Sequence, residues 1–422
     1  MAEDKGEGKE DYKLEANSEL RFEVEAGATV QLELAEGKAE IFGTELTTNR
    51  KCTFLAGAKV AVYTWHGCHI KLSGRTDVAY ISKDTPMTIY VNTHQALEQM
   101  RHIAEEHVTR GPRVLVVGPT DVGKSTLCHL LLNYAVACGH SPVFVDIDVG
   151  QNDIAIPGTL GAMVVERPAD VEEGFSLTAP LVFHYGHNSP AQNPTLFNIL
   201  VSKLGEIINT KCNEIKKSNY SGVIINTGGW VRGTGYDAIK HAAGAFEVDV
   251  VIVLDQERLY NELKRDMPGF VKVILLPKSG GVVERNRNIR TEFRDQKVRE
   301  YFYGTRNSLF PHTFEVPFAE VKIFKIGAPS LPASCLPLGM KTGDNKTKVV
   351  PVTIGPTVQH HIMSISSASS VDHNILEANS LGFIIITGID MEKQKFTVLS
   401  PSPRPLPKSI LLMSDIQFMD IE

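Results

Sequence analysis

Residues 118–125 carry the sequence Gly-Pro-Thr-Asp-Val-Gly-Lys-Ser, which is the G-x-x-x-x-G-K-S pattern of a phosphate-binding loop. Gly118 and Gly123 allow the backbone to turn so that successive N–H groups converge on phosphate oxygens. Lys124 is expected to reach the β- and γ-phosphates, and the Ser125 hydroxyl is expected to ligate Mg²⁺. The pattern therefore predicts a nucleoside triphosphate and Mg²⁺ as ligands. The residues expected to bind the nucleotide are Gly118, Asp121, Val122, Gly123, Lys124, Ser125 and Thr126.

The segments on both sides of this loop have the composition that phosphate binding requires. Residues 113–117 are apolar and β-branched, as in a buried parallel strand, and residues 126–137 form a leucine-rich helical stretch. A helix that begins at the loop adds partial positive charge where the phosphates would lie. This context favours a functional loop over a chance glycine-rich turn.

Two carboxylates follow the next predicted strand, residues 142–145. Asp146 and Asp148 stand where that strand ends, and ligands of parallel sheets bind beyond the carboxyl ends of strands. A carboxylate at this place either holds Mg²⁺ or accepts a proton from the attacking group. We prefer Asp148 as catalytic residue and metal ligand because it is nearer the exposed loop, with Asp146 behind it. An aspartate that only caps the following turn is the alternative.

A tryptophan follows a third predicted strand, residues 222–225. The segment Asn-Thr-Gly-Gly-Trp places Trp230 after two glycines at a strand end. A buried tryptophan is the usual case, but this position favours a stacking platform for a nucleic-acid base. We therefore expect Trp230 to bind RNA or another base-containing ligand.

Basic residues follow the strand predicted at residues 271–276 and the glycine pair Gly280-Gly281. A mixed charge run is usually a solvated helix face. The alternative is a mobile lid that brings arginines over a transferring phosphate. We expect Arg285 to be catalytic and Arg287 to contact RNA, whereas the later basic residues are expected at the surface. Those later residues are Arg290, Arg294, Lys297 and Arg299.

Length and composition indicate a soluble protein of two or three domains. The 422 residues exceed one ordinary core, and no apolar run approaches the ~18 residues of a membrane span. The six cysteines lack C-x-x-C spacing, which argues against a structural zinc site and for a reducing compartment. The net charge of −6 argues against non-specific coating of nucleic acid. The charged start lacks the apolar region of a secretory signal.

The periodicity divides the chain into segments. Alternating apolar residues and glycine-containing turns between 19 and 92 predict an antiparallel β-sandwich, closed by residues 89–91. A helix follows at 93–110, and alternating strands and helices to about 304 predict a doubly wound, mostly parallel α/β sheet. The remainder is β-rich. The predicted segments are a disordered tail 1–12, an N-terminal β domain 13–95, a linker helix 96–110, a P-loop kinase-like domain 111–305 and a C-terminal β-rich domain 306–422.

Three further segments carry patterns that bear on function. A guanine-specific GTPase would carry N-K-x-D after a strand, but Asn345-Lys346 is followed by Thr347-Lys348 in the C-terminal region. The proline-rich tract 401–407 could bind a partner or form a strap over its domain. His360-His361 has no second ligand pair nearby and is expected to be structural.

The ordered motifs resemble those of the eukaryotic polyribonucleotide 5′-hydroxyl kinases of the Clp type, and the resemblance extends over nearly the whole chain after the charged tail. The motifs that carry it are the phosphate-binding loop, Asp-Val-Gly-Gln at 148–151, Asn-Thr-Gly-Gly-Trp at 226–230, Leu-Pro-Lys-Ser-Gly-Gly-Val-Val-Glu-Arg at 276–285 and Pro-Arg-Pro-Leu-Pro-Lys at 403–408.

The resemblance implies transfer of the ATP γ-phosphate to RNA 5′-hydroxyl ends, with Mg²⁺ as cofactor. It also implies a nuclear protein that works with other subunits of the pre-mRNA cleavage complex and with the tRNA-splicing endonuclease, without a membrane. By similarity Glu19 and Lys59 help to bind ATP, and Asn193 lies in an RNA-gripping loop, although residues 187–192 depart from the expected pattern. Some members of the family bind ATP without kinase activity, so a catalytically silent scaffold subunit is the alternative function.

Overall fold

The computed structural model describes residues 8–328, 344–370 and 374–419. The elements of the N-terminal domain form two antiparallel sheets that face each other, with strand orders β1-β8-β3-β6 and β5-β4-β7-β2-β9. The strands are β1 (Lys9–Leu14), β2 (Ser18–Val24), β3 (Val30–Gly37), β4 (Glu40–Ile41), β5 (Thr44–Glu45), β6 (Lys51–Phe54), β7 (Lys59–Thr64), β8 (Cys68–Gly74) and β9 (Thr76–Ser82).

The predicted sandwich is confirmed, and its core comes from the period-2 pattern. Leu20, Phe22 and Val24 of β2 point into one apolar core with residues of β3, β7 and β8. The opposite face of β2 is also covered, because Glu19 and Arg21 are buried. The charged face of this strand is therefore an internal surface, which simple alternation did not indicate.

Two predicted boundaries were wrong. Strand β1 begins at Lys9 and pairs with β8, so residues 9–12 belong to the sheet and not to a tail. Helix α1 (Met87–Glu106) begins six residues before the predicted start and includes residues 89–91, which the alternating pattern predicts as the end of the sandwich. A short apolar run cannot be assigned to strand or helix from its periodicity alone. Here Tyr90, Leu97 and Ala104, spaced seven apart, supply the buried face of the helix.

The central domain is a seven-stranded sheet with helices on both faces, in the order β13-β12-β11-β14-β10-β15-β16. The five strands from β11 to β16 in this order are parallel, and β12 and β13 are antiparallel, so the predicted mostly parallel sheet is confirmed. The elements are β10 (Arg113–Val117), α2 (Lys124–Ala137), β11 (Val143–Asp146), β12 (Thr159–Val164), β13 (Leu181–His184), α3 (Pro194–Glu214), α4 (Lys216–Ser221), β14 (Val223–Asn226), α5 (Thr234–Ala245), β15 (Val250–Leu254), α6 (Glu257–Asp266), β16 (Lys272–Leu276) and α7 (Arg287–Tyr303).

The C-terminal domain is a second seven-stranded sheet, in the order β17-β22-β21-β20-β23-β18-β19, in which β18 and β23 pair in parallel. An apolar cluster joins it to the central domain through Val182 of β13 and through Val298 and Phe302 of α7. The strands are β17 (His312–Pro317), β18 (Lys322–Ile326), β19 (Val349–Pro351), β20 (His361–Ser366), β21 (Ser380–Asp390), β22 (Lys395–Ser400) and β23 (Ile410–Gln417).

The remaining sequence features have structural places. His361 is buried between the Ser414 carbonyl and the Gln417 side chain, which agrees with a structural role. The tract 401–407 connects β22 to β23 along the surface, with Leu406 packed against the domain core. Cys335 lies outside the described residues. Among the described helices, none combines the length and the apolar composition required to cross a membrane.

Candidate active site

A cavity of about 580 Å³ lies between the N-terminal and central domains, at the carboxyl ends of the parallel strands. Its walls come from the loop between β10 and α2, from β2 and β7 of the N-terminal domain, and from the segments that follow β11, β14 and β16. The residues that the sequence predicted to bind nucleotide, metal or RNA, or to act in catalysis, and that line this cavity are Lys59, Asp121, Val122, Gly123, Lys124, Ser125, Thr126, Asp148, Trp230 and Arg285. The structure thus brings together in one cavity residues that are far apart in the sequence.

The backbone of the phosphate-binding loop has the left-handed conformations that its glycines permit. Gly123 has φ +88°, immediately before α2, and Gly118 has φ +158°. A Cβ atom at Gly118 would lie 2.8 Å from the Leu254 carbonyl oxygen, so this position has no room for a side chain. Asp121 also has a positive φ, +56°. The loop is therefore fixed in the concave form that binds anions.

Lys124 is buried at the start of α2, and its Nζ donates a 2.7 Å hydrogen bond to the Pro119 carbonyl of the same loop. Burial lowers the pKa of the Lys124 ammonium, and the Asp148 carboxylate opposes this shift. The neighbouring Ser125 Oγ accepts a hydrogen bond from Asn226 Nδ2 at 3.1 Å. The ammonium and the hydroxyl are thus held by protein contacts at the floor of the cavity.

The structure distinguishes the two aspartates that the sequence left open. Asp146 is fully buried, and its carboxylate accepts hydrogen bonds from the backbone N–H of Asp148, the backbone N–H of Asp153 and Asn226 Nδ2. Asp148 lines the cavity and accepts hydrogen bonds from the backbone N–H of Gly150 and of Gln151. Asp146 therefore orders the loop and Asn226, whereas Asp148 presents its carboxylate to the cavity.

Burial affects the ionisation of both carboxyls. Burial raises the pKa of Asp148, while the Lys124 ammonium and two backbone N–H groups act in the opposite direction. The pKa of Asp146 is raised further, by burial and by the carboxylates of Asp153 and Asp148. An oxygen-rich group of this kind next to a hydroxyl and a lysine fits Mg²⁺ and phosphate, because Mg²⁺ prefers oxygen ligands.

The basic segment after β16 folds over the phosphate-binding loop. Asp121 Oδ2 accepts a 3.0 Å hydrogen bond from the Arg285 backbone N–H and forms a 2.6 Å ion pair with Arg290 Nη2. Burial raises the pKa of Asp121, but these two donors outweigh burial, and the net pKa is lowered. The Arg285 guanidinium stacks on Phe293 at 4.6 Å and lies 3.4 Å from Gln151 Oε1.

The expectation that Arg290 and Arg294 are surface residues was wrong, because both line the cavity together with Arg285. They lie on α7 one turn apart, so the first half of this helix presents one basic face to the cavity. Lys297, one turn further on, is half-buried beside Glu300. Arg287 is exposed at the start of α7 and is not among the residues that line the cavity, so its RNA contact stays a prediction.

Trp230 is half-buried, with one part packed on the central core and another part on the cavity surface. Its ring lies against α5, since a Cβ atom at Gly235 would be 2.6 Å from Trp230 Cγ. The alternative of a fully buried tryptophan is therefore excluded. The ring has a fixed position from which it can offer a surface to a ligand in the cavity.

Comparison with known proteins matches the chain to one family along its length. The family models are described as an N-terminal beta-sandwich domain of polyadenylation factor, which matches residues 13–104, an mRNA cleavage and polyadenylation factor CLP1 P-loop, residues 118–304, and a pre-mRNA cleavage complex II protein Clp1, residues 309–420. The chain belongs to the Clp1 family.

Curated relatives share most of the sequence. A Gallus gallus protein named polyribonucleotide 5′-hydroxyl-kinase Clp1 is 61% identical over 425 residues, covering 100% of both chains. A Homo sapiens protein of the same name is 61% identical over 411 residues, covering 97% of each chain. A solved Clp1p–Pcf11p complex, described by its interface and by the basis of ATP loss in a point mutant, has a TM-score of 0.85 at 23% identity over 98% of this chain and 99% of that one. At this identity the solved structure shows the fold alone.

The family resemblance predicts that Lys59 and Glu19 bind ATP in this Clp1-family chain. Only Lys59 is on the surface of the cavity. Lys59 lines the cavity, where its Nζ pairs with Glu23 Oε2 at 3.0 Å. Glu19 is 3% exposed and is not among the cavity-lining residues. It is hydrogen-bonded to Arg21 and accepts a 3.1 Å hydrogen bond from Thr85 Oγ1. The structure therefore places Glu19 behind Arg21. This geometry does not support direct contact of Glu19 with ATP.

Sequence reasoning missed Arg21 as a site residue. Its side chain lines the cavity, donates from Nη2 to the Asp84 carbonyl at 2.8 Å, and packs on the glycine pair after β16. A Cβ atom at Gly281 would lie 2.9 Å from Arg21 Nε. The alternation of charged residues along β2 was the available signal, because a charged strand face must meet either water or a polar site.

Asn193 is not among the residues that line the cavity, so its expected RNA contact stays a prediction. Asn193 is buried, its Oδ1 accepts from the Leu196 N–H as the N-cap of α3, and its Nδ2 donates to the Lys346 carbonyl at 2.7 Å. Both ends of the amide group are therefore used inside the protein. The cavity is lined instead by the preceding residues Asn188, Ser189 and Pro190.

Proposed function

We propose that this chain is an ATP-dependent kinase that transfers the γ-phosphate of ATP to the 5′-hydroxyl of RNA. The observation that carries the proposal is the convergence of Lys124, Asp148 and the arginines of the α7 segment on one cavity. Phosphoryl transfer requires little beyond positioned cations and oriented groups around the phosphate, and these residues supply both. The name shared by the curated relatives supports the same reaction.

Each of these residues has a distinct part in the transfer. Lys124 lies at the anion-binding loop and neutralises charge on the β- and γ-phosphates. Arg285 and Arg290, held next to that loop by Asp121, stabilise the charge that spreads over the transferring group. Asp148 and Ser125 are the residues that would hold Mg²⁺, which neutralises phosphate charge when bound. We also assign to the Asp148 carboxylate, which lines the cavity, the orientation of the attacking hydroxyl.

The acceptor side of the cavity fits a nucleobase and its sugar. Trp230 offers a ring surface on which a base can stack, and stacking is tolerant of base identity. Asn188 and Ser189 add polar residues to the lining of the same cavity. A terminal nucleotide of RNA would therefore be held by its base while its 5′-hydroxyl points toward the phosphate-binding loop.

The same protein is proposed to act as a nuclear subunit of the pre-mRNA 3′-end cleavage machinery and with the tRNA-splicing endonuclease. Support for the first role comes from the family descriptions and from solved Clp1p structures in which the protein is bound to Pcf11p. Support for the endonuclease and for the nucleus comes from the family resemblance of the motifs.

One observation favours a second function, that of an ATP-bound scaffold without catalysis. The walls of the cavity come from two domains, with Lys59 on one side and Lys124 on the other. A nucleotide between them would stabilise the contact of the two domains whether or not it reacts. The intact set of catalytic residues favours the kinase over the scaffold.

Incubation with γ-labelled ATP and a short oligoribonucleotide separates the two functions. The kinase places label on an RNA that begins with a 5′-hydroxyl and none on the same RNA with a 5′-phosphate, whereas a scaffold retains ATP and labels neither. ATP bound at equilibrium without any label on the 5′-hydroxyl RNA would reject the kinase.

A further inference from the structure

The C-terminal domain contacts a wall of the cavity, although none of its described residues is among those that line the cavity. The loop of residues 186–193 leaves β13, and its middle residues Asn188, Ser189 and Pro190 line the cavity. The Asn188 carbonyl lies against the segment that carries Asp148, because a Cβ atom at Gly150 would be 3.1 Å from that oxygen. The position of this loop therefore sets one side of the acceptor pocket.

Strand β23 of the C-terminal domain fixes the first end of this loop. The Gly186 carbonyl accepts hydrogen bonds from the Asp415 backbone N–H at 2.8 Å and from Ser414 Oγ at 3.1 Å. The Asp415 carboxylate accepts a 2.7 Å hydrogen bond from His187 Nδ1 and pairs with Lys325 Nζ at 2.6 Å. Charge-assisted bonds of this kind are stronger than neutral ones and define orientation.

The C-terminal domain also fixes the last end of the loop. The Lys346 carbonyl, which precedes β19, accepts from Asn193 Nδ2 at 2.7 Å. Between the two ends, the buried Tyr185 hydroxyl donates to the Ser189 and Pro190 carbonyls at 3.1 and 3.0 Å. The loop is thus held at both ends by the C-terminal domain and in the middle by the central domain.

The lid helix is attached to the same sheet. Phe302 and Val298, in the second half of α7, are fully buried in the cluster shared with the C-terminal domain. The Tyr301 hydroxyl accepts a 3.0 Å hydrogen bond from the Phe383 N–H of β21. The two walls that face the phosphate-binding loop therefore have a common support.

We propose that the C-terminal domain positions the acceptor side of the active site, and that Asp415, through its bonds to His187 and Gly186, is the positioning residue for the 186–193 loop. This inference rests on the proposed kinase function, since it assigns the loop to the RNA acceptor. Asp415 touches neither phosphate nor reacting hydroxyl, so its effect reaches the reaction through the loop. A displacement of the loop should then weaken use of RNA while the nucleotide side is preserved.

The test combines hydrogen exchange of the loop with steady-state kinetics on the full chain. Asp415→Ala and His187→Gln should each increase amide exchange in residues 186–193 and lower kcat/KM for a 5′-hydroxyl oligoribonucleotide on the order of tenfold. ATP affinity should stay at the wild-type value. Asp415→Asn keeps an acceptor for His187 but not the charge, so it should restore part of the loss. Glu315→Gln is the matched control, because it breaks the 2.8 Å ion pair with Lys395 elsewhere in the same domain.

The outcomes separate this inference from the proposed function. Unchanged exchange of the loop in His187→Gln and Asp415→Ala would overturn the positioning role, as would faster exchange with unchanged RNA kinetics. A wild-type protein that transfers no phosphate would reject the kinase, and the exchange result alone would then decide whether the C-terminal domain holds the loop. If Asp415→Ala does not fold, His187→Gln decides, because it leaves Asp415 and its pair with Lys325 in place and changes only the bond to Asp415 and the ring contact of His187 with Tyr185.

Discussion

Asp146 and Asp148 show what residue types can and cannot predict. Their position at a strand end beside a phosphate-binding loop followed from the sequence alone, because it depends on the direction of the chain in a parallel sheet. Which of the two faces the cavity did not follow, since it depends on the donors that surround each carboxylate. Three donors surround Asp146, including Asn226 from the neighbouring strand β14, and that contact exists only in the folded sheet.

Asp148→Asn should leave ATP binding largely intact and reduce phosphate transfer. Burial raises the pKa of Asp148, and the ionised form is the one that holds a metal or accepts a proton. In the wild type, kcat/KM should therefore rise with pH as this carboxyl loses its proton, and the acidic limb should be absent in the variant. A pH–rate profile of both proteins tests this.

Asp146→Asn is the matched comparison for that experiment. It should lower the thermal stability more than Asp148→Asn does, because the Asp146 carboxylate accepts three internal hydrogen bonds. Near-normal transfer by Asp148→Asn across the pH range, with loss of transfer in a folded Asp146→Asn, would assign the chemical role to Asp146.

Trp230→Ala should weaken RNA more than ATP. The ring faces the cavity, and stacking of one base on an aromatic ring contributes roughly 1–3 kcal/mol. The apparent KM for a 5′-hydroxyl oligoribonucleotide should rise accordingly, while the KM for ATP changes little. An increase confined to the KM for ATP would place Trp230 in the nucleotide site.

At the scale of elements, helix α7 is where periodicity was least informative. The sequence predicted that Arg285 would lie near the phosphate-binding loop, because β16 delivers its segment to the active edge of the sheet. Arg285 indeed lines the cavity. Arg290 and Arg294 were assigned to the surface, since a mixed charge run alone does not show which helical face is covered. The bond from Arg290 to Asp121 links positions 169 residues apart, and local pattern cannot reveal such a contact.

Arg285→Ala should reduce kcat with little change in ATP affinity. An arginine that meets the transferring phosphate only as charge develops lowers kcat and kcat/KM about equally when removed. Arg285→Lys should restore activity incompletely, because an ammonium cannot form the two parallel bonds of a guanidinium. Arg299→Ala is the control, since Arg299 stacks on Tyr303 in the second half of α7 and is not among the cavity-lining residues. Steady-state kinetics that show equal losses for Arg285→Ala and Arg299→Ala would contradict the lid.

At the scale of the molecule, the three-domain arrangement was predictable, but the covering of the site was not. The alternation of apolar residues, the order of strands and helices, and the motifs predicted the fold of each domain, but not the contacts between domains. The burial of Glu19 and Arg21 depends on how the N-terminal sandwich contacts the central domain, and a charged strand face alone gives no partner. The same holds for Asn193, whose partner Lys346 belongs to another domain.

ATP should stabilise the whole chain because its cavity is shared by two domains. A ligand that binds only the folded state at 100 times its Kd raises the free energy of unfolding by about 2.7 kcal/mol. Lys59→Ala should diminish this stabilisation at the same ATP concentration, since Lys59 lines the cavity from the N-terminal side. Thermal unfolding with and without ATP measures it, with Lys71→Ala, an exposed change on β8, as control. Equal stabilisation of wild type and Lys59→Ala would remove Lys59 from ATP binding.

The most direct measurement is single-turnover transfer of labelled γ-phosphate to a 5′-hydroxyl oligoribonucleotide by wild type, Lys124→Ala and Lys272→Ala. Lys124 is buried at the anion-binding loop, and removal of a preorganised charge of this kind costs on the order of 10²–10³ in rate. Lys272 is exposed on β16 and is not among the cavity-lining residues, so Lys272→Ala should transfer at the wild-type rate. Transfer by wild type and Lys272→Ala, with a loss of at least this order in Lys124→Ala, is the predicted result. Transfer by purified Lys124→Ala at the wild-type rate would contradict the assignment of catalysis to this cavity.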